Sequence, residues 1–246
     1  NVRRQWDAGT QFYLNEVVPD AIDESEQARA EDLFIHTVVY RLINLPASYK
    51  AIRHHFDGAD TDIEGIVETL RERQEQGETI FSSAYRMGGP NHKEYDDKLG
   101  QLLYAGVRDD LMPRFEVICN KTMLADSLEE ANQPLRDVQG MGEFLAYEVT
   151  TDLNYVWFDF HENDFVNVGP GAENGLEEIF GEAIDDYEAK LRELHSEQDE
   201  HLHEDFPFMD ASPHLTIRDI EHSLCEYAKY RRVKDGNGHT RKYDPE

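Results

Sequence analysis

Two short glycine turns hold the residues best suited to handling phosphate. The first, Gly140-Met141-Gly142, lies between an apolar pattern ending near Val138 and another starting at Phe144. Glycine allows both a tight positive-φ turn and close approach of the backbone to a ligand. A helix that starts at such a turn offers N–H groups and the positive end of its dipole to an anion. The second turn, Gly169-Pro170-Gly171, leads straight into an acidic helical pattern with Asn174 in its first turns, and it has the same potential toward a phosphate or pyrophosphate. On spacing alone the first turn reads either as a helix-hairpin-helix over residues 133–152 or as an ordinary αα-hairpin. The second reads either as an anion site or as a plain capped turn.

Acids lie between the two turns at Asp152, Asp159, Glu162 and Asp164. Any of them has the chemistry to serve as a base or hold a cation, but in a chain this acidic each carboxylate reads first as a surface residue. A third cluster gathers Glu221, Glu226, Lys229, Arg231, Arg232 and Lys234, with Arg241 and Lys242 beyond, and makes residues 229–246 a basic tail. Its cations would either meet phosphates or pair with neighbouring acids such as Glu221 and Glu226. His54-His55 and His201 with His203 look metal-like, yet side chains one or two apart on a helix face different ways, so no metal site is assigned. No cofactor is expected. The chain has no Gly-x-x-x-x-Gly-Lys-Ser/Thr phosphate loop and no zinc deaminase signature, which excludes both chemistries for it.

The charge balance decides which kind of phosphate contact is plausible. There are 52 acidic against 24 basic side chains, a formal net charge of −28, and only eight of the cations are Lys. At molar salt the Debye length contracts to ~3 Å, so the self-repulsion of such a surface largely disappears. The expectation is a salt-adapted archaeal host or its virus, the other reading being a mesophilic protein with a basic partner. Lysine contacts to DNA draw their strength from counterion release, which molar salt abolishes, whereas backbone N–H contacts survive. Cys119 and Cys225 form no disulfide framework and no Cys-x-x-Cys pair, and no apolar run approaches the ~20 residues of a membrane helix. A reducing, cytoplasmic setting without membrane contact is therefore expected. The chain opens on Asn1 rather than Met, which reads as a domain cut from something longer.

The elements that must position these residues are helices. Leu33, Phe34, Val38, Val39, Leu42 and Ile43 share one face of a helix that Pro46 ends. Ile63, Ile66, Val67 and Leu70 share another, opened by a capping box from Thr61 to Glu64 and stopped at Gly77. Tyr95, Leu99, Leu102, Leu103 and Val107 continue the pattern, and Asp126 with Glu129 caps a further start. Long helices are predicted from about Ala172 to His195 and from about Ile217 to Arg231, the latter capped by Thr216 with Asp219. Thr79 to Ser82 and Val156 to Phe160 are the candidate strands, read either as a small ribbon or as extended loops. The fold class is all-α, with room for a minor two-stranded ribbon, in one domain over residues 1–246.

Several of these motifs occur together in one known group. Gly140-Met141-Gly142-Glu143-Phe144-Leu145-Ala146-Tyr147, Thr151-Asp152-Leu153-Asn154-Tyr155, Val168-Gly169-Pro170-Gly171-Ala172 with Gly175-Leu176, and the run from Asp219 to Tyr230 stand in that group's order. Ile80 to Arg86 and the helix end at Arg41 to Asn44 add to the match. The chain resembles the α-glutamyl/putrescinyl thymine pyrophosphorylase family, also labelled the 5-hydroxymethyluracil DNA kinase helical domain. The resemblance implies a fold like that of helix-hairpin-helix DNA glycosylases and a role in viral hypermodification of thymine. In that chemistry a partner kinase pyrophosphorylates hydroxymethyluracil in DNA, and an amine or amino acid then displaces the pyrophosphate from a flipped-out nucleotide.

On that resemblance Gly140 and Gly142 would grip the DNA backbone. Gly169, Gly171 and Asn174 would cradle a phosphate or the leaving pyrophosphate. Asp152 or Asp164 would orient or deprotonate the amine, and Glu221, Glu226, Lys229 and Arg231 would line the site. Two alternatives stand beside this reading: a glycosylase that excises a base, and a non-catalytic DNA-binding module that presents substrate to a hydroxymethyluracil DNA kinase. Phe144 occupies the place of the Lys nucleophile in lyase-type glycosylases, which argues against Schiff-base chemistry there.

Overall fold

Apolar spacing at helical period, broken by glycine, proline and short polar caps, sets the architecture. The computed structural model describes residues 2–21, 26–82, 95–181, 184–201 and 214–236. In chain order they form α1 (Ala8–Phe12), α2 (Val18–Asp20), α3 (Glu26–Ile43), α4 (Pro46–Ile52), α5 (Ile63–Glu75), a π-helical stretch Gly100–Leu111, and α6 (Phe115–Met123). There follow α7 (Leu128–Arg136), α8 (Gly142–Asn154), α9 (Pro170–Phe180), α10 (Tyr187–Ser196), α11 (Gln198–His201) and α12 (Ile217–Lys234). No strand occurs among the described residues. Described residues of 8–161 make one compact unit, and those of 1–7 with 162–246 make a second.

In the first unit α3 is the central element. Leu33, Phe34, Ile35, Val38, Val39 and Leu42 are buried, and the helix packs on α6 and α8. Burial of each such side chain stabilises by ~1.5–3 kcal/mol. The helix ends where Asn44 takes a left-handed φ of 48°, and Pro46 opens α4 at a position where its missing N–H costs nothing. In the second unit α9 and α12 pack closely, with α10 against both. Residues near the chain start join this unit, because the Arg4 N–H donates to Asp219 Oδ1 (2.8 Å) and Arg3 Nη1 lies 3.4 Å from Asp219 Oδ2.

Local chemistry corrects three expectations and decides a fourth that the sequence left open. The α5 cap is Asp62, whose carboxylate accepts the Gly65 N–H at 2.9 Å, because the Thr61 hydroxyl instead donates to the Gly58 carbonyl. The α7 cap is Ser127 rather than Asp126, with Glu130 reaching back to the Asp126 N–H. The long helix from Ala172 to His195 is two helices, since Gly181 takes a left-handed φ of 70° and ends α9. Of the two readings of residues 79–82 and 156–160, the loop is the one that forms, since neither segment is a strand. Phe158 and Phe160 stack on each other in a loop tied by the Asn154 amide, which accepts the Phe160 N–H and donates to its carbonyl, and the Ser82 N–H donates to the α3 end at the Ile43 carbonyl. The Thr216 capping box with Asp219 forms as expected. Residues 83–86 of the Ile80 to Arg86 stretch, Arg241, Lys242, and the side chains of the His201 and His203 pair lie outside the described residues.

Candidate nucleic-acid interface

The first glycine turn is a half-buried hairpin that exposes Gly142. α7 ends at Arg136 and α8 begins at Gly142, with Val138 and Met141 buried as anchors between them. Gly140 has φ 81° and Gly142 φ 61°, backbone that costs an L-residue ~1–2 kcal/mol. A Cβ added to Gly142 would meet nothing within 4 Å, and the residue is exposed. The side chain of Met141, at the N-cap of α8, makes no capping hydrogen bond. Arginines stand on both flanks: Arg136 pairs with Glu143, and Arg114 donates to Asp110 (2.6 Å) and to the Asp137 carbonyl (3.4 Å). The turn thus joins open backbone, a helix N-terminus and two guanidinium groups, a set able to receive a phosphodiester.

The second glycine turn is built differently. Gly169 is a buried N-cap in extended conformation, and its carbonyl accepts both the Ala172 and the Glu173 N–H groups (2.9 and 3.0 Å). A Cβ on Gly171 would lie 2.7 Å from Cys225 Sγ, and one on Gly175 would lie 2.6 Å from the Leu224 carbonyl oxygen. These glycines let α9 and α12 touch backbone to side chain. Asn174 is exposed and turns its amide back to the Pro170 carbonyl.

Asp152 lies in the core of the first unit, 1 % exposed, where both its oxygens accept from Arg41. Glu148 Oε2, one helical turn away, is 3.9 Å from Arg41 Nη1, and Arg41 also donates to Thr10 and Asn44. A bidentate, fully hydrogen-bonded pair of this kind is how a buried guanidinium is tolerated. Burial and the Asp152 charge push the Tyr13 phenol above its ordinary range. Sequence reasoning missed Arg41 and Glu148 as members of this cluster. The signals were an arginine inside the apolar face of α3 and two carboxylates four residues apart on a buried helix.

In the second unit Asp164 is exposed. Glu221 is 1 % exposed and bound to Arg218 at 2.6 Å; the Cys225 thiol donates to it at 3.6 Å, and burial with the Glu221 charge pushes that thiol up. Glu226 pairs with Lys229 at 2.5 Å, and Arg231 pairs with Glu178 at 3.1 Å and donates to the Tyr227 hydroxyl. Lys229 and Arg231 are thus offset by acids of their own unit. His222 is buried, which with the Arg4 and Arg218 charges lowers its pKa to about 4. Among the described residues no group of three or more His, Cys, Asp or Glu side chains is arranged to hold a metal ion, and no helix is long and apolar enough to cross a membrane.

Comparison with known proteins places this geometry in context. A family model described as "5-hmdU DNA kinase, helical domain" matches residues 1–239. The chain is also similar to a protein named "5-hmdU DNA kinase" from Bacillus phage SP10, at 26 % identity over 249 residues. The match covers 94 % of this chain and 38 % of the phage protein, so the chain spans well under half the length of that relative. No solved structure matches.

Proposed function

Given that the chain belongs to the 5-hmdU DNA kinase helical-domain family, we propose that it serves the modification of 5-hydroxymethyluracil in DNA as the module that grips the DNA backbone. The observation carrying this reading is the Gly140 to Gly142 turn, with its two left-handed glycines, the exposed Gly142 at the start of α8 and the flanking Arg114 and Arg136. It acts as a helix-hairpin-helix: amides at the start of α8 meet phosphate oxygens, and Arg136 trades its Glu143 partner for the same phosphodiester while Arg114 keeps its hold on Asp110 and the Asp137 carbonyl. A molecule carrying a net charge of −28 gains little from bulk attraction to DNA, so directed amide contacts suit it better than a diffuse cationic surface. The length of the phage relative beyond the matched span supports a kinase region working beside this module.

The substitution of pyrophosphate by an amine needs an acid or base that faces substrate. Asp152 has both oxygens committed to Arg41, which leaves Asp159, Asp164 and Glu226 as the solvent-facing acids among those that the sequence singles out. The geometry therefore favours a holding role over catalysis by this chain alone.

Fluorescence anisotropy with duplexes containing thymine or 5-hydroxymethyluracil, titrated across a salt series, tests the proposal. Expected are binding that weakens only shallowly with salt and its loss in Gly142→Val, a neutral change whose side chain would occupy the space of the phosphate. Nucleoside mass spectrometry after incubation separates the roles. Unchanged nucleosides support a holding module, abasic sites indicate a glycosylase, and aminated thymine formed from pyrophosphorylated substrate indicates the substitution. Absence of DNA binding at every salt concentration would overturn the proposal.

A further inference from the structure

The hairpin is held from outside its own two helices. Asp110, at the end of the π-helical stretch, accepts the Gln139 N–H on Oδ2 at 2.7 Å and the Arg114 guanidinium on Oδ1 at 2.6 Å. Arg114 in turn donates to the Asp137 carbonyl, so one acid and one arginine take hold of both ends of the segment leading into Gly140. One turn earlier Gly106 lies so close that an added Cβ would stand 2.5 Å from the Gln139 carbonyl oxygen. The wider π-type turn, in which the Met112 N–H reaches back to the Val107 carbonyl, brings both residues to the hairpin. Such turns are frequent at functional sites.

We propose that Asp110 is a positioning residue for DNA binding, fixing the Asp137 to Met141 turn so that Gly142 and the start of α8 face the phosphodiester; the inference rests on the DNA-gripping role of that hairpin. Electrostatics and positioning predict opposite signs here. Removing an acid beside the DNA path relieves repulsion and frees Arg114, so by charge alone Asp110→Ala tightens binding. By positioning it weakens binding, because the turn loses a charge-assisted hydrogen bond and its preorganised shape.

The test measures DNA affinity of the full chain and its Asp110→Ala, Asp110→Asn, Gly106→Ala and Gly142→Val variants, with hydrogen exchange of the Gln139 amide. Asp110→Ala is expected to weaken binding about tenfold and to speed Gln139 exchange, with the salt slope unchanged because no cation is removed. Asp110→Asn keeps an acceptor oxygen for the Gln139 N–H and restores most of the affinity. Gly106→Ala reproduces the loss with every charge in place, which also covers a failure of Asp110→Ala to fold. If Gly142→Val abolishes binding while Asp110→Ala and Gly106→Ala bind as tightly as the parent chain or more so, the positioning role is wrong and the hairpin reading stands. If Gly142→Val also binds normally, the hairpin reading itself fails and this inference with it.

Discussion

Gly140-Met141-Gly142 and Gly169-Pro170-Gly171 share a sequence pattern and a place at the start of a helix, yet the fold spends them in opposite ways. In the first, glycine supplies left-handed backbone and leaves empty space above Gly142. In the second, no left-handed residue is needed, and glycine supplies the absence of a side chain where Cys225 and Leu224 press against α9. A Gly-x-Gly motif therefore states that a Cβ is unwelcome without stating whether the reason is the backbone or the neighbour. Open space is what a ligand requires, and the first turn alone of the two offers it at its glycine.

The comparison can be sharpened or broken by substitution. The largest effect is expected at the far end of α8, the helix that the open turn starts. Arg41→Ala leaves Asp152 as an uncompensated buried charge and should destabilise the first unit by about 3–5 kcal/mol, read as a fall in urea midpoint. Next, Gly171→Ala should cost about 2–3 kcal/mol by overpacking. Adding Cys225→Ala, which removes the sulfur 2.7 Å away, should return most of that loss. A double mutant no more stable than Gly171→Ala would break the packing explanation.

Acid comes third. His222 is held neutral, with its pKa lowered to about 4 from an unfolded value near 6.5, so the unfolded chain binds the extra proton first. Stability should be complete above pH 6.5 and fall progressively toward pH 4, by about 2 kcal/mol at pH 5. His36, lowered to about 3 by burial, pushes the first unit in the same direction. Urea melts between pH 7 and 5 should show His222→Gln losing less stability than the parent chain. Smallest of all, Gly142→Ala meets no neighbour and should cost about 1 kcal/mol of backbone strain alone, and a melting loss as large as that of Gly171→Ala would erase the distinction between the turns.

Much of the helical frame was legible because it depends on local chemistry. The α12 capping box, the Pro46 boundary and the glycine hairpin are each written in a few adjacent residues. The errors arose where two local solutions compete. Thr61 and Asp62 are both able caps, and the choice turns on Gly58 lying within reach of the threonine hydroxyl. Val156 to Phe160 has strand composition, but the Asn154 clamp occupies its backbone. The candidate site divides the same way. The open hairpin could be read from glycine spacing, whereas the burial of Asp152 against Arg41, 111 positions away, could not, because in so acidic a chain a core carboxylate looks like a surface one. Asp110, half-buried, escaped notice because its partners Arg114 and Gln139 are set by the fold rather than by adjacent residues.

The bond from the Arg4 N–H to Asp219 spans 215 positions. Residues 8–161 form their unit from one uninterrupted stretch, while the second unit draws on both ends of the chain. During synthesis the first unit has all its parts once residue 161 has left the ribosome, but Arg3 and Arg4 must wait for α12 to emerge. Loop closure over such a separation is slow and entropically demanding, so the hairpin-bearing unit should reach its folded form while the rest of the chain is still being made.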